Sequence, residues 1–250
     1  MKRTLLITDD FPPRVGGVAA YYGEICRRLP AEAITVLTAP ASGSQAYDTG
    51  QTYAVVRRNL LSERALAWPR WRLALRAAVE VSAEKRAEVI WAGQILPYGT
   101  VAWVLYRRMG WPYLVTAHGM DLGIPRGRRR WLCQRILAHA QAVVANSQAT
   151  KALAMDKYGV PASKISVLTP GAAPARRVPQ TAVDALRQRH GLRGALVLLS
   201  VGRLVERKNL QAVVTALPLI RAVLPNSHSV IVGDGPARPA IERQVNRLGL

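Results

Sequence analysis

Short apolar runs alternate with helix-length segments along almost the whole sequence, and this alternation most constrains the fold. Several runs are apolar at consecutive positions, which is typical of strands buried on both faces of a sheet. Strands that alternate with helices imply right-handed crossovers between parallel strands. The sequence therefore predicts an α/β fold built on a doubly wound parallel sheet. The runs of the first part are residues 4–8, 33–38, 52–56, 88–92, 113–117, 142–146 and 165–169.

The segment LTPGAAPARRVPQT, residues 168–181, interrupts the alternation with three prolines and a glycine. Such a composition is typical of an interdomain linker. We therefore predict a first Rossmann-like domain over residues 1–175 and a second over 176–250. The second shows strands only at 195–201 and 229–233. Because two strands make a small sheet, we expect this second domain to be incomplete. Its predicted helices cover 183–190, 209–223 and 238–248.

The charge of the chain is strongly positive, with 35 Lys and Arg against 15 Asp and Glu, a net +20. This excess favours an anionic partner: nucleic acid, phospholipid headgroups or a phosphorylated substrate. Single-stranded nucleic-acid binders combine a basic groove with stacking aromatic side chains. Aromatic residues make up only 6% of this chain, so nucleic acid is not the expected partner. Cys26 and Cys133 lie in apolar helical patterns, which predicts buried thiols rather than a disulfide.

The loops that follow strands are the candidates for a site, because open parallel sheets bind ligands beyond the carboxyl ends of their strands. Gly16 and Gly17 follow the first strand and precede the first helix. Bare backbone at that point can approach a phosphate at the positive end of the helix. The alternative is a tight turn that uses glycine for its geometry, and it is favoured when the pair is taken by itself.

The segment AHGMD, residues 117–121, follows a buried strand and places His118 and Asp121 at the rim of the predicted sheet. Both side chains can form hydrogen bonds with a polyhydroxylated ligand. The alternative is a structural histidine with satisfied hydrogen bonds. A metal site would need further ligands, which the sequence does not offer near this loop.

The segment VGRLVERKN, residues 201–209, carries Arg203 and Lys208 from a strand end into a helix. There the two cations can converge on one diphosphate, the arginine as a planar fork and the lysine as a point charge. The alternative is two solvated cations in a chain that has 35 of them. In VGDGP, residues 232–236, Gly233 and Gly235 close the next strand and allow close contact with a base or ribose.

In this order and on these loops, the four segments resemble the retaining glycosyltransferases of family four, which have the GT-B fold of two Rossmann-like domains. That family has a Gly-Gly loop after strand one, H-G-x-[DE] after a mid-domain strand, G-R-L-x-x-x-K after the linker and G-x-G-P one unit later. Each motif is weak alone, but the ordered set is specific and covers essentially the whole chain. The resemblance implies an enzyme that transfers a hexose from a nucleotide-diphosphate sugar with retention of configuration.

The resemblance also implies roles for individual residues. His118 would touch the transferred sugar, while Arg203 and Lys208 would bind the diphosphate and offset charge on the leaving group. This is electrostatic catalysis, so we expect neither a metal ion nor a cofactor. Asp121 would order the loop that holds His118. The residues implied in donor binding are Gly16, Gly17, Asp121, Gly233 and Gly235.

One family motif has no counterpart. Two glutamates separated by seven residues, with Gly-Phe-Gly between them, should follow further strands of the second domain. The pairs Glu24/Glu32 and Glu80/Glu88 match the bare spacing without the glycine-rich context. We therefore expect a truncated chain whose turnover alone is negligible. The alternative function is a catalytically silent relative that holds a nucleotide or a partner.

Two segments rich in arginine and tryptophan give an indication of the class of acceptor. Residues 68–86 place Arg72, Arg76 and Glu80 on one helical stripe, and residues 125–137 gather five arginines around Trp131. Each helix taken singly is typical of packing on its own sheet with a solvated basic face. With the net charge, the pair favours contact with an anionic membrane surface. We therefore expect a lipid or lipid-linked glycan as acceptor and a cytoplasmic protein, peripheral at the inner face of the membrane. The sequence leaves the nucleotide (UDP or GDP) and the sugar open.

Overall fold

The structure is a computed structural model that describes residues 1–62, 69–171 and 177–250. The chain divides into two units, residues 1–172 and 173–250. The predicted boundary between residues 175 and 176 lies outside the described residues, as does Trp68 at the start of the first basic segment.

Unit 1 (residues 1–172) is built on one sheet of seven parallel strands. Its spatial order is β3-β2-β1-β4-β5-β6-β7, so the chain winds outward from β1 in one direction and then in the other. Every apolar run predicted as a strand in this unit overlaps one of the seven. The α/β fold class is therefore confirmed. The strands are Thr4–Ile7 (β1), Ile34–Thr38 (β2), Ala54–Arg57 (β3), Val89–Ala92 (β4), Tyr113–Ala117 (β5), Ala142–Ala145 (β6) and Ile165–Val167 (β7).

Both faces of this sheet are buried, which explains its near-continuous apolar strands. Leu5 and Ile7 belong to a large core cluster on one face, and Leu6 between them belongs to a second cluster on the other. All three side chains are fully buried. Each such burial contributes about 1.5–3 kcal/mol, so β1 anchors the unit from both sides.

The helices of unit 1 connect its strands. The sequence pattern predicts one helical face through Val18, Tyr21, Ile25 and Leu29, but α1 stops at Cys26 and leaves Leu29 in the following turn. Pro30 explains this difference, since the residue before a proline is disfavoured in the helical conformation. The helices are Gly17–Cys26 (α1), Ser44–Thr49 (α2), Arg72–Lys85 (α3), Thr100–Met109 (α4), Met120–Gly123 (α5), Gly127–His139 (α6) and Gln148–Tyr158 (α7).

Unit 2 (residues 173–250) contains a parallel pair of strands and three helices in its described part, as predicted. Its buried core cluster is small and consists of Leu204, Val214 and Ile241. On β8, Leu199 and Val201 remain 62% and 74% exposed. The elements are Gln180–Arg189 (α8), Leu196–Val201 (β8), Leu210–Val223 (α9), Ser227–Val232 (β9) and Arg238–Arg247 (α10).

Two further sequence expectations can be compared with the structure. Cys26 and Cys133 are free and buried, as predicted, and burial raises the pKa of the Cys26 thiol to about 12. Among the described residues, none of the helices has the length and apolar character needed to cross a membrane.

Candidate functional site

The strand order of unit 1 creates a crevice between β1 and β4. The chain leaves β1 towards β2 and β3 and returns to β4 on the other side of β1. The loops after these two strands therefore separate, and ligands of open α/β sheets bind at such points. The loop after β5 lies one strand further along the same edge and carries His118.

The His118 side chain is held by two groups from distant parts of the sequence. Its Nε2 lies 3.0 Å from the carbonyl oxygen of Gly93 and 3.0 Å from the hydroxyl of Tyr22. Tyr22 is fully buried and donates its own hydrogen bond to the same Gly93 carbonyl. The rings of Tyr21 and Tyr22 meet the imidazole edge-on, with centroids 5.9 and 5.7 Å away. The imidazole is thus oriented before any ligand binds.

This network assigns the proton of the neutral imidazole. A carbonyl oxygen only accepts hydrogen bonds, so Nε2 of His118 must carry the hydrogen that faces Gly93. The other nitrogen, Nδ1, is then an acceptor, and it makes no hydrogen bond to any residue that the structure describes. An acceptor of this kind matches the hydroxyl group of a sugar.

Asp121 holds the loop around His118. Its Oδ1 accepts a hydrogen bond of 3.0 Å from the backbone N–H of His118. Burial raises the pKa of the Asp121 carboxyl, and His118 and nearby backbone N–H groups oppose the increase. The carboxylate is therefore placed as a support for the loop, and it lies at the start of the short helix α5.

A second polar cluster lies in the crevice between β1 and β4. The side-chain amide of Gln94 donates to the carboxylates of both Asp9 and Asp10, at 3.2 and 3.1 Å. The guanidinium of Arg14 donates a hydrogen bond to the backbone carbonyl oxygen of Asp9, at 3.1 Å. Burial, with a smaller contribution from the neighbouring Asp10, raises the pKa of the Asp9 carboxyl. The crevice therefore presents two carboxylates and an amide, which suit the hydroxyl groups of a sugar or polyol.

Gly16 and Gly17 form an open helix start. Neither residue would bring a Cβ atom within 4 Å of another atom, and the φ angle of Gly16, 169°, is ordinary extended backbone. The turn geometry therefore does not require glycine here, contrary to the alternative considered from the sequence. No side chain caps α1, so its first N–H groups have no capping partner and can bind an anion.

Sequence reasoning missed Tyr22, Gly93 and Gln94. The partners of Tyr22 in the network are 71 and 96 residues away, and no local pattern indicates such contacts. Gly93 and Gln94 could have been predicted from the sequence, because they directly follow a predicted strand, as His118 does. The same argument about strand ends applied to β4 would have identified them.

The loops after β8 and β9 form the candidate site of unit 2. The backbone N–H of Leu204 donates to the carbonyl of Asp234, and that of Ala237 donates to Leu204, both at 2.9 Å. Gly233 and Gly235 have φ angles of +149° and +156°, and a Cβ atom on them would lie 1.9 Å from Gly202 and 2.4 Å from Leu204. The close packing of one loop on the other therefore requires glycine at both positions.

Arg203 and Lys208 flank a tight turn between β8 and α9. Arg203 lies in the loop after β8, and Lys208 ends a 3₁₀ turn, Glu206–Lys208, before α9. Both side chains are exposed, and neither forms an ion pair within the described ranges. A cavity of about 370 Å³ lies beside this turn, between Asn209 and Pro236. The cavity has the size of a ligand pocket, but neither Arg203 nor Lys208 is among the residues that line it.

The comparison with protein families agrees with these features. The profile of Glycosyltransferase Family 4 matches residues 15–176, more than half of the chain, and that of Glycosyl transferases group 1 matches residues 183–250. The chain belongs to glycosyltransferase family 4. The resemblance inferred from the four loop motifs is therefore confirmed at the level of the family.

Relatives of this family 4 chain include mannosyltransferases. It is 32% identical over 260 residues to the GDP-mannose-dependent alpha-(1-6)-phosphatidylinositol monomannoside mannosyltransferase of Mycobacterium tuberculosis, with 100% of this chain and 66% of the relative covered. The enzyme of that name in Mycolicibacterium smegmatis is 31% identical, with 98% and 64% covered. The chain thus spans about two thirds of the length of these relatives.

A solved structure has the same fold. Anabaena Alr3699/HepE in complex with UDP-glucose superimposes with a TM-score of 0.76 at 19% identity, covering 100% of this family 4 chain and 67% of that one. At this identity the likeness concerns the fold alone.

Proposed function

We propose that the chain acts in a glycosyltransferase that moves a hexose from a nucleotide-diphosphate sugar to a lipid or lipid-linked acceptor, with retention of configuration. The observation that carries the proposal is the oriented His118 imidazole at the carboxyl edge of a family 4 sheet. Its Nδ1 is available for a sugar hydroxyl, and the uncapped start of α1 is available for a phosphate.

In this proposal the bond between the sugar C1 and the diphosphate oxygen breaks, C1 bonds to the acceptor hydroxyl oxygen, and the proton of that hydroxyl passes to the diphosphate that leaves. Arg203 and Lys208 bind the diphosphate and stabilise the negative charge that develops on the leaving group. Their cationic side chains supply this stabilisation without a metal ion. Gly16 and Gly17 border the donor phosphate, and Asp121 keeps His118 in position.

For the donor we propose GDP-mannose and for the acceptor a phosphatidylinositol-type glycolipid. The support is the activity of the two mycobacterial relatives, which are 31–32% identical to this chain. A lipid acceptor would hold the protein at the surface of a membrane as a peripheral protein, at the inner face. The net charge of +20 suits an anionic leaflet.

Titration calorimetry with GDP and with UDP tests the clamp in unit 2. Arg203→Ala and Lys208→Ala should each weaken binding by about 1.5–3 kcal/mol, because each removes a charge-assisted hydrogen bond. Arg207→Ala removes an exposed cation from the same turn and serves as the matched control. An equal effect of all three variants would mean that only diffuse charge attracts the nucleotide.

The role of His118 is tested by comparing two ligands. His118→Ala should retain the affinity for GDP and lose the additional affinity for GDP-mannose, because the imidazole contacts the sugar. Transfer of labelled mannose to a phosphatidylinositol glycolipid, with the anomeric configuration of the product read by NMR, then tests activity and retention. Transfer by this chain would contradict the negligible turnover expected from the sequence, whereas tight binding without transfer agrees with that expectation and with the alternative, a silent nucleotide-binding module. Affinity for DNA or RNA that falls steeply with salt would instead indicate a nucleic-acid-binding protein.

A further inference from the structure

A cavity of about 650 Å³ lies on the outer surface of unit 1, between α3, α4 and α6. Its volume is within the range of small-molecule sites. None of the residues of the candidate site described above lines it. The three helices cover the larger core cluster, so their buried faces hold the walls of the cavity in place.

The walls are strongly cationic. Five arginines line the cavity, and no carboxylate does so within the described part of the chain. All five are exposed, and none takes part in an ion pair with a described residue. Like charges that converge without counterions raise the local potential and attract an anion, and arginine forks match phosphate oxygens. The five are Arg72, Arg76, Arg107, Arg108 and Arg135.

Three tryptophans share the cavity with these arginines. Trp71 precedes α3, Trp103 lies on α4 and Trp131 lies on α6. Trp131 is 54% exposed, and the guanidinium of Arg135 lies over its ring at 5.4 Å. Tryptophan prefers the boundary between water and lipid, where its apolar ring and its N–H group are both accommodated. The cavity therefore joins a cationic wall to an aromatic wall.

We propose that this arginine–tryptophan cavity binds the headgroup phosphate of an anionic phospholipid, one molecule at a time, while Trp131 lies in the membrane interface. A nucleic acid would need an extended groove with successive stacking rings, whereas this cavity has the size of one headgroup. A free phosphate would use the arginines but not the tryptophans. The inference rests on the proposed function only in that a lipid acceptor brings the protein to a membrane.

Sedimentation with vesicles tests the site. Vesicles with 30% phosphatidylglycerol in phosphatidylcholine should retain the full 250-residue chain at physiological salt, and pure phosphatidylcholine should not. The pair Arg107→Ala/Arg135→Ala should lower the partition coefficient at least about tenfold more than Arg128→Ala/Arg129→Ala. The second pair is the control, because it removes the same charge from exposed positions of α6 that do not line the cavity. Equal losses in the two pairs would overturn the site in favour of diffuse attraction.

Two further measurements separate the sources of the phosphate. Trp131→Ala should also lower the partition, and the blue shift of tryptophan fluorescence on vesicles should decrease. Inorganic phosphate and glycerol phosphate at millimolar concentration should compete weakly, and a single-stranded oligonucleotide should not bind the cavity. Equal binding of the oligonucleotide, lost in the Arg107/Arg135 pair, would overturn the assignment to lipid.

The affinity for GDP distinguishes this inference from the proposed function. The cavity variants should bind GDP as the unmodified chain does, which also shows that they fold. If the unmodified chain binds no nucleoside diphosphate yet still depends on the cavity for vesicle binding, the proposed function fails and this inference stands. If GDP binds and the cavity pair behaves as the control pair, only the inference fails.

Discussion

At the scale of single residues, glycine is required at some positions of the site by close packing and not at others. A Cβ atom on Gly93 would lie 2.7 Å from the Cβ of Thr8 and 3.1 Å from the carbonyl oxygen of Ile7. A Cβ atom on Gly17 would meet nothing within 4 Å. The packing of β4 against β1 thus requires glycine at one position, and open space surrounds the other. The sequence alone cannot separate these cases, because both are glycines in loops after strands.

Replacement by alanine distinguishes the two. Gly93→Ala should lower the free energy of unfolding by about 1–3 kcal/mol, because the added methyl group forces backbone shifts in a tightly packed place. Gly17→Ala should change it by no more than about 0.5 kcal/mol. Urea denaturation measures both values. Equal stabilities of the two variants would mean that the backbone between β1 and β4 accommodates the added methyl group at little cost. A loss of GDP affinity confined to Gly17→Ala would support the proposed phosphate contact.

The carboxyl of Asp9 predicts a pH dependence of stability. Burial raises the pKa of this carboxyl above its ordinary value of 3.8, so at pH values just above 3.8 the folded protein binds more protons than the unfolded chain. The ionised Asp9 therefore costs stability at neutral pH, and this cost disappears as the pH falls through the folded pKa. Asp9→Asn should stabilise the protein at pH 7 and progressively less towards pH 4. Denaturation across this range tests the sign, with Asp156→Asn on an exposed part of α7 as control.

The site was predictable from the sequence where its contacts are local. His118 and Asp121 lie three residues apart, and their hydrogen bond follows from one short loop after a strand. Gly93 could be located at a predicted strand end, but the contacts of Tyr22 and Gly93 with His118 were not predictable, because the tertiary fold alone brings α1 and the end of β4 next to that loop. The tautomer of His118 depends on these distant partners. Sequence reasoning therefore identified the residue and left its orientation open.

At the scale of secondary-structure elements, Arg57 ties three segments together. Its guanidinium pairs with Asp48 of α2 at 2.8 Å and donates to the carbonyl oxygens of Ala39 after β2 and Pro12 in the loop before α1. The arginine side chain is only 10% exposed. The loop that carries Gly16 and Gly17 is thus fixed at the edge of the sheet by the end of β3.

The loss of the Arg57–Asp48 ion pair should change the free energy of unfolding in a predictable direction. Arg57→Ala should lower the free energy of unfolding by about 3–5 kcal/mol, because it leaves the partly buried charge of Asp48 without its partner. Adding Asp48→Asn should restore part of the loss, because the uncompensated charge then disappears. Urea denaturation of the single and double variants gives the coupling between the two residues. A double variant as unstable as Arg57→Ala alone would contradict the importance of the charge pair.

The elements themselves were largely predictable, because the strands of a parallel sheet are continuous apolar runs. All nine predicted strands are present, and their ends differ by no more than two residues. The misplaced Leu29 has a local cause, Pro30, that periodicity alone does not register. The basic stripe of Arg72 and Arg76 on α3 was predicted as exposed and is exposed. Its junction with α4 and α6 was not predicted, because arginines of α4 join it only in the folded unit.

At the scale of the whole molecule, the two units differ in how completely their sheets are covered. Unit 1 buries both faces of seven strands under two core clusters. In the described part of unit 2 the core cluster holds only three buried side chains, and Leu199 and Val201 of β8 are largely exposed. Burial of apolar area is the main stabilising term in folding. The two units should therefore differ in stability.

Hydrogen exchange tests this difference. The free energy of opening should be lower for amides of β8 and β9 than for those of β1, β4 and β5, because fewer buried contacts must break to expose them. We expect the peptides covering residues 196–201 and 227–232 to exchange completely while those covering β1 and β4 remain protected. The edge strand β7 is the control, since it pairs on one side only, yet contacts the large core cluster. Protection of β8 equal to that of β1 would contradict the argument. Saturation with GDP should raise protection around Arg203 in the unmodified chain and less in Lys208→Ala, because a ligand stabilises only the state that binds it.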